Sequence, residues 1–248
     1  MSKLLSAAYG AIAYLLSVGI ILFTIGFVDD AIVPKTIDHG GATSASMHVA
    51  IVIDIALVGL FGLQHSIMAR PAFKRFWTRV VPAPIERSTY VVFASAALAF
   101  LMWQWRPIDE CVWQLGPRAA MIAVGVSHLG WALVFLSTFL ISHFELFGLR
   151  QAFAGALGFR DGEPRFRTPS LYRIVRHPLY LGFLLAFWAA PKMSVGRLVF
   201  SLAMTLYIVL AIELEETDLV AQFGTRYLEY RDRVGMLLPR LWHARRSP

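Results

Sequence analysis

The sequence predicts an all-α integral membrane protein of about six transmembrane helices, ending in a helical hairpin and a cytoplasmic segment. Three observations lead there. Hydrophobic residues make up 57% of the 248-residue chain and the mean hydropathy is +0.60, far from a soluble globule. Charged residues are only 16% and cluster between long apolar runs. The runs themselves approach the roughly 20 residues that a helix needs to cross a hydrocarbon core.

Those runs lie near 5–28, 47–68, 89–105, 119–141, 174–190 and 196–214. The first is too long for the apolar part of a signal peptide and has no small-residue cleavage site, so it is read as retained. The fifth is the weakest. Its uninterrupted part, Leu179 to Ala190, is short for a crossing, and Pro191-Lys192-Met193-Ser194 turns the chain back into a tight hairpin. Linkers 69–88 and 142–178 and the tail hold most of the arginines, among them Arg70, Arg150, Arg173 and Arg231. The alternate loops hold only Lys35, Arg106, Arg118, Lys192 and Arg197, interspersed with Asp29, Asp30, Asp38, Asp109 and Glu110. The positive-inside rule then places both termini in the cytoplasm, which an even number of spans satisfies. Two regions follow: 1–141, a four-helix region on the substrate side, and 142–248, carrying the hairpin and tail. The polar stretch 142–178 is long enough to read as a lid or re-entrant element.

The pI near 9.9 could suggest nucleic acid, but the basic residues flank membrane spans, where lipid headgroups and topology account for them. The single cysteine, Cys111, excludes an internal disulfide framework and any cysteine-based zinc site. The seven histidines show neither H-x-x-x-H nor Cys/His spacing, so no metal is expected.

Several ionisable residues sit where apolar chain makes them expensive. Asp54 lies inside the second span and should face a partner or a polar cavity. His65 follows eleven residues later, on the same helix face but about 16 Å away at 1.5 Å rise per residue. Arg87 and Tyr90 are three apart and share a face if a helix begins near Ser88-Thr89. His143 and Glu145, two apart at the end of the fourth span, would point away from one another on a continuous helix; only a break there lets them act as a pair. Glu213, Glu215 and Glu216 form the densest acidic cluster, and Glu216 to Tyr230 reads as an amphipathic helical stretch. For each of these, interfacial anchoring or a structural hydrogen bond competes with a role in chemistry.

Two motifs carry a resemblance. Arg176-His177-Pro178-x-Tyr180-x-Gly182, one helical hairpin and then Glu215-Glu216 resembles the paired motifs of the isoprenylcysteine carboxyl methyltransferase and phospholipid methyltransferase superfamily. The resemblance implies an S-adenosylmethionine site at Tyr172, Arg176, His177, Pro178, Tyr180, Gly182, Glu215, Glu216 and Tyr227. Further upstream, His65-Ser66-Ile67-Met68-Ala69-Arg70-Pro71, Glu86-Arg87-Ser88-Thr89-Tyr90 and Ser137-Thr138-Phe139-Leu140-Ile141-x-His143 look like the bacterial methanethiol S-methyltransferases, NnrU-type membrane proteins that make dimethyl sulfide. This implies a bacterial inner-membrane enzyme whose substrate is a small volatile thiol, methanethiol or hydrogen sulfide. The thiolate is the nucleophile, so the site must take up a proton. His65 or His143 is the candidate base, Asp54 or Glu145 the group orienting it, Arg87 a source of positive potential, and Tyr90 completes the candidate set. The competing expectations are a methyltransferase for prenylcysteine or phospholipid acceptors, and a non-enzymatic membrane transporter or accessory protein.

Overall fold

Three of the long helices begin at a serine. In the computed structural model, which describes residues 2–42, 46–157 and 166–240, Ser2, Ser46 and Ser194 accept hydrogen bonds from the amides of Leu5, Val49 and Arg197, capping α1 (Lys3–Val28), α2 (Met47–Ala69) and α9 (Val195–Phe223). Between α2 and α9 the chain forms α3 (Pro71–Trp77), α4 (Ala83–Gln104), β1 (Cys111–Gln114), α5 (Pro117–Ile141), α6 (His143–Leu146), α7 (Leu149–Leu157), α8 (Pro178–Trp188) and β2 (Lys192–Ser194); α10 (Thr225–Arg233) follows α9. Prolines open α3, α5 and α8 at the position where a missing N–H costs nothing. Among the described residues five helices, of 22 to 29 residues, are long and apolar enough to cross a membrane. Their outward residues, such as Ile12, Val52, Met121 and Leu206, are exposed and apolar, as lipid contact requires.

Successive long helices alternate in direction between two polar ends. At the arginine-rich end the start of α1 meets the start of α4 through the Tyr9 hydroxyl, which donates to Thr89 at 3.1 Å, and the end of α2 meets α9 through an Arg70–Asp218 ion pair at 2.8 Å. At the arginine-poor end the Arg106 amide, just beyond α4, donates to Asp54 near the start of α2, and the Ser194 hydroxyl before α9 donates to Asp38.

The fifth apolar run forms only the 11-residue α8, about 16 Å long. It nevertheless links the two ends: His177 before it touches Glu216 of α9, and Pro191 after it accepts the Leu115 amide at 2.9 Å. Irregular segments on either side supply the remaining length. The turn after α8 also carries β2, which pairs antiparallel with β1 (Trp113 opposite Met193), a small sheet absent from the sequence expectation. Nor is α9 the principal support of α8. A Cβ at Gly182 would lie 2.7 Å from the Gly130 carbonyl of α5, and one at Gly130 would lie 2.6 Å from the Gly182 carbonyl, so two bare backbones cross there. This contact bridges the expected division at residue 141. The last span runs on to Phe223, beyond the expected 214, and the chain turns at Gly224 (φ 57°), so the stretch from Glu216 to Tyr230 is two helices rather than one.

The packed core sits toward the arginine-poor half. Phe27, Trp105, Phe187 and Phe200 meet mostly edge to face, with centroids 5.1–6.4 Å apart, and the Trp105 indole donates to the Ile37 carbonyl at 3.0 Å.

Candidate active site

The Arg-His-Pro motif and the Glu-Glu motif meet at the arginine-rich end. Residues 175–177 run beside the chain that follows α10: Val175 bridges Gly235 in parallel, and the amides of Arg176 and His177 donate to the carbonyls of Gly235 and Met236 at 2.8 and 3.1 Å. This fixes both side chains pointing at α9. Arg176 Nε donates to Glu216 Oε1 at 2.7 Å, and its Nη1 donates to the carbonyls of Arg231 and Val234. His177 Nε2 lies 3.0 Å from the same Glu216 oxygen, and a carboxylate accepts, so that nitrogen carries the proton. Pro178 is buried at the start of α8 and sets the angle of the motif, while Gly182 is occupied with the α5 crossing.

The two glutamates are not equivalent. Glu216 is 12% exposed and held by Arg176 and His177; Glu215 is 44% exposed, 4.0 Å from His177 Nδ1, and its carboxylate meets the Tyr180 hydroxyl. Glu213 faces outward and joins neither.

Below the motif, Tyr172, Tyr227 and Tyr230 form one wall. The Tyr230 hydroxyl donates to the Tyr172 carbonyl at 2.5 Å, and Phe166 lies within 5.3–5.9 Å of Phe223, Tyr227 and Tyr230. Burial, with the Glu216 carboxylate adding to it, pushes the Tyr227 phenol up, and burial raises Tyr230 to about 12, so both remain hydrogen-bond donors at neutral pH. The Tyr227 hydroxyl is buried without a partner among the described residues. Phe166 was missed from the sequence; its one signal is an aromatic residue between Arg165 and Arg167. Its neighbours 158–165, the middle of the polar stretch expected to be a lid, lie outside the described residues.

A second group lies on α2 and α4. The Tyr90 hydroxyl sits 2.9 Å from His65 Nε2 and 3.3 Å from Nδ1, and the Arg87 guanidinium lies 4.8 Å from the Tyr90 ring centroid. Because α4 begins at Ala83, Arg87 and Tyr90 share a helix face, as their spacing predicts. Arg87 is steadied by donating Nε–H to the Leu146 carbonyl at 3.0 Å.

His143 forms a third group. The helix breaks at Ser142, as pairing with Glu145 would need, yet the pair does not form: Glu145 is half exposed and bonded to Arg150 at 3.2 Å. His143 instead has Thr138 Oγ1 2.8 Å from Nδ1 and the Tyr14 hydroxyl 3.0 Å from Nε2. Thr138 spends its own proton on the Phe135 carbonyl, so it accepts from Nδ1–H, and Nε2 accepts from Tyr14. The Phe139 ring stacks on the imidazole at 4.1 Å, and burial holds the histidine below the usual imidazole pKa. Tyr14 was also missed; it is one of two tyrosines on the mostly apolar α1. Tyr90, Val91 and Phe147, packed with Tyr14, Met68 and Leu146, form an apolar wall between the two histidine groups.

Asp54 belongs to none of these. It is fully buried at the opposite end, accepting the Arg106 amide at 2.9 Å, with Oδ2 unpartnered among the described residues. It cannot orient His65. Among the described residues, no three His, Cys, Asp or Glu side chains converge as metal ligands.

Comparison with known proteins bears on the whole chain. A protein of Bradyrhizobium diazoefficiens named methanethiol S-methyltransferase 2 is 50% identical over 246 residues, covering 99% of this chain and 94% of that one. Its methanethiol S-methyltransferase 1 is 51% identical, covering 96% and 83%. The methanethiol S-methyltransferase of Mycobacterium tuberculosis is 48% identical, covering 96% and 98%. No family model and no solved structure matches the chain.

Proposed function

This chain belongs to the methanethiol S-methyltransferase family, and we propose that it S-methylates methanethiol to dimethyl sulfide with S-adenosylmethionine as donor. The near-full-length identity to proteins of that name carries the reading. The residues at the arginine-rich end fit the donor. Its sulfonium and ammonium are cationic and its adenine is aromatic, and the end offers an accessible carboxylate, Glu215, an aromatic wall, and the Tyr227 hydroxyl, which has no partner among the described residues. When bound, S-adenosylmethionine supplies a methyl group activated by its sulfonium.

The chain's own residues then have distinct tasks. Arg176 neutralises Glu216 and His177 orients it, which leaves Glu215 as the carboxylate for the donor's positive charge. Methanethiol is largely protonated at neutral pH and its thiolate is the reactive form. His65 takes that proton: its only side-chain hydrogen-bond partner among the described residues is Tyr90, whereas both nitrogens of His143 are engaged. Tyr90 positions the imidazole, and Arg87 contributes positive potential that favours the anion. His143, with Tyr14 and Thr138, shapes the apolar wall beside it. In this reading the acceptor groups come from the first four long helices, the donor groups from the chain after residue 141, and hydrogen sulfide is a second acceptor. The arginine excess at the end that carries residues 2 and 240 supports placing that end in the cytoplasm, across a bacterial inner membrane.

The test is headspace dimethyl sulfide from purified, detergent-solubilised protein given methanethiol and S-adenosylmethionine. Thiol-dependent product is expected. Tight donor binding with no thiol turnover would move the acceptor to a prenylcysteine or a lipid amine; no donor binding would end the methyltransferase reading.

A further inference from the structure

We infer that Tyr207 is the residue that limits the size of the acceptor thiol, an inference that rests on the methyl-transfer reading above. Tyr207, on α9, lies flat against α2 at Gly62. A Cβ built on Gly62 would fall 2.7 Å from ring atom Cδ2 and 3.1 Å from Cε2, so only a bare backbone admits the ring at this depth. The ring meets Phe61 edge-on at 6.0 Å; Phe61 lies 5.5 Å from His65, and His65 lies 5.3 Å from Tyr90. The Tyr207 hydroxyl turns toward Ser66, next to His65 in the chain. Tyr207 and Tyr180 pack against the same apolar cluster, and Tyr180 in turn meets Glu215.

Tyr207 therefore stands at the seam between the group that would take the thiol's proton and the group that would hold the donor. The thiol sulfur has to reach that seam, and its alkyl substituent must lie beside these rings. A tyrosine has two side-chain torsions, and this one is backed by the helix backbone at Gly62. It cannot give way as a leucine or methionine would. Methanethiol carries one carbon; each further methylene has to displace this ring.

The experiment compares kcat/KM for methanethiol and for 1-propanethiol in wild type, Tyr207→Ala, Tyr207→Leu and Tyr207→Phe, with S-adenosylmethionine affinity measured in parallel. The preference for methanethiol is expected to fall by about tenfold or more in the Ala variant, less in the Leu variant, and to stay within about twofold in the Phe variant, which keeps the ring. Gly62→Ala, which must displace the same ring from α2, is expected to change the preference while donor affinity stays within about twofold of wild type. An unchanged preference in the Ala, Leu and Gly62→Ala variants, or a shift in the Phe variant, overturns the role given to the ring. Wild-type protein that binds the donor but methylates neither thiol overturns the methyl-transfer reading instead.

Discussion

The two ends of the bundle use different aromatic residues. All eight tyrosines lie toward the arginine-rich end, from Tyr9 beside Thr89 to Tyr230 beside Tyr172. Every described tryptophan except Trp77 lies toward the other: Trp103 beside Lys35, Trp105 beside Ile37, Trp113 in β1, Trp131 beside Asp29 and Trp188 beside Thr205. Both ends bury charge, so buried charge by itself does not mark the site. At the arginine-poor end the buried charged groups tie loops to helices through backbone groups and hydroxyls: Asp54 to the Arg106 amide, Arg197 to the Val28 carbonyl, Asp38 to Ser194. At the arginine-rich end histidines, arginines and glutamates meet one another and tyrosine hydroxyls. The first arrangement is a lock. The second leaves titratable groups beside apolar walls, which proton transfer and cation binding require.

Breaking the arginine-rich end at its centre should have the largest effect. Glu216→Ala leaves Arg176 and His177 buried without their shared carboxylate, a loss on the order of 3–5 kcal/mol. Thermal unfolding should fall sharply and donor binding should disappear. Glu215→Gln should instead keep the melting temperature and weaken donor affinity. If the two variants behave alike, the division of labour between the glutamates is wrong.

Next come the histidines. His65→Ala should lower kcat by about 10²–10⁴ with the fold retained, as loss of a general base does. His143→Ala should cost mainly stability, because it empties a packed site against Phe139 and Phe147. A rate loss in His143→Ala that exceeds the loss in His65→Ala, in protein of unchanged melting temperature, would exchange the two roles.

A smaller, pH-dependent effect follows from His143. Its folded pKa lies below that of the free imidazole, about 6.5, because burial disfavours the cation. As pH falls through that value, the unfolded chain takes up a proton that the folded protein does not, so stability declines between the unfolded and folded pKa and is fully present above both. Melting temperature recorded from pH 8 to pH 5 should therefore fall at the acid end, and His143→Phe should flatten part of that slope. An unaltered slope would mean that other groups carry it.

The smallest effect is expected at the other end. Asp54→Asn keeps an oxygen for the Arg106 amide, so turnover should remain within about twofold of wild type and stability within about 1 kcal/mol. A large loss of turnover there would join the two ends functionally and undo the contrast between lock and site.

The sequence alone determined the membrane class, most helix positions and the asymmetry of arginine, because run length and charge bias are local properties. Through its resemblance to a known superfamily it also held the meeting of the Arg176-His177 and Glu215-Glu216 motifs, and through spacing the shared face of Arg87 and Tyr90, since three residues is nearly one helical turn. Only the tertiary structure decided that Tyr14 and not Glu145 meets His143, that Asp54 lies away from His65's group, that Gly182 serves the α5 crossing, and that Tyr207 rests on Gly62. The reason is physical. In a soluble helix the apolar stripe reports which face is turned inward. A membrane helix is apolar toward lipid and toward its neighbours, so its rotation about its own axis leaves little trace in hydropathy. That rotation, at 100° per residue, chooses every side chain's partner, and it is set by how small residues let helices approach.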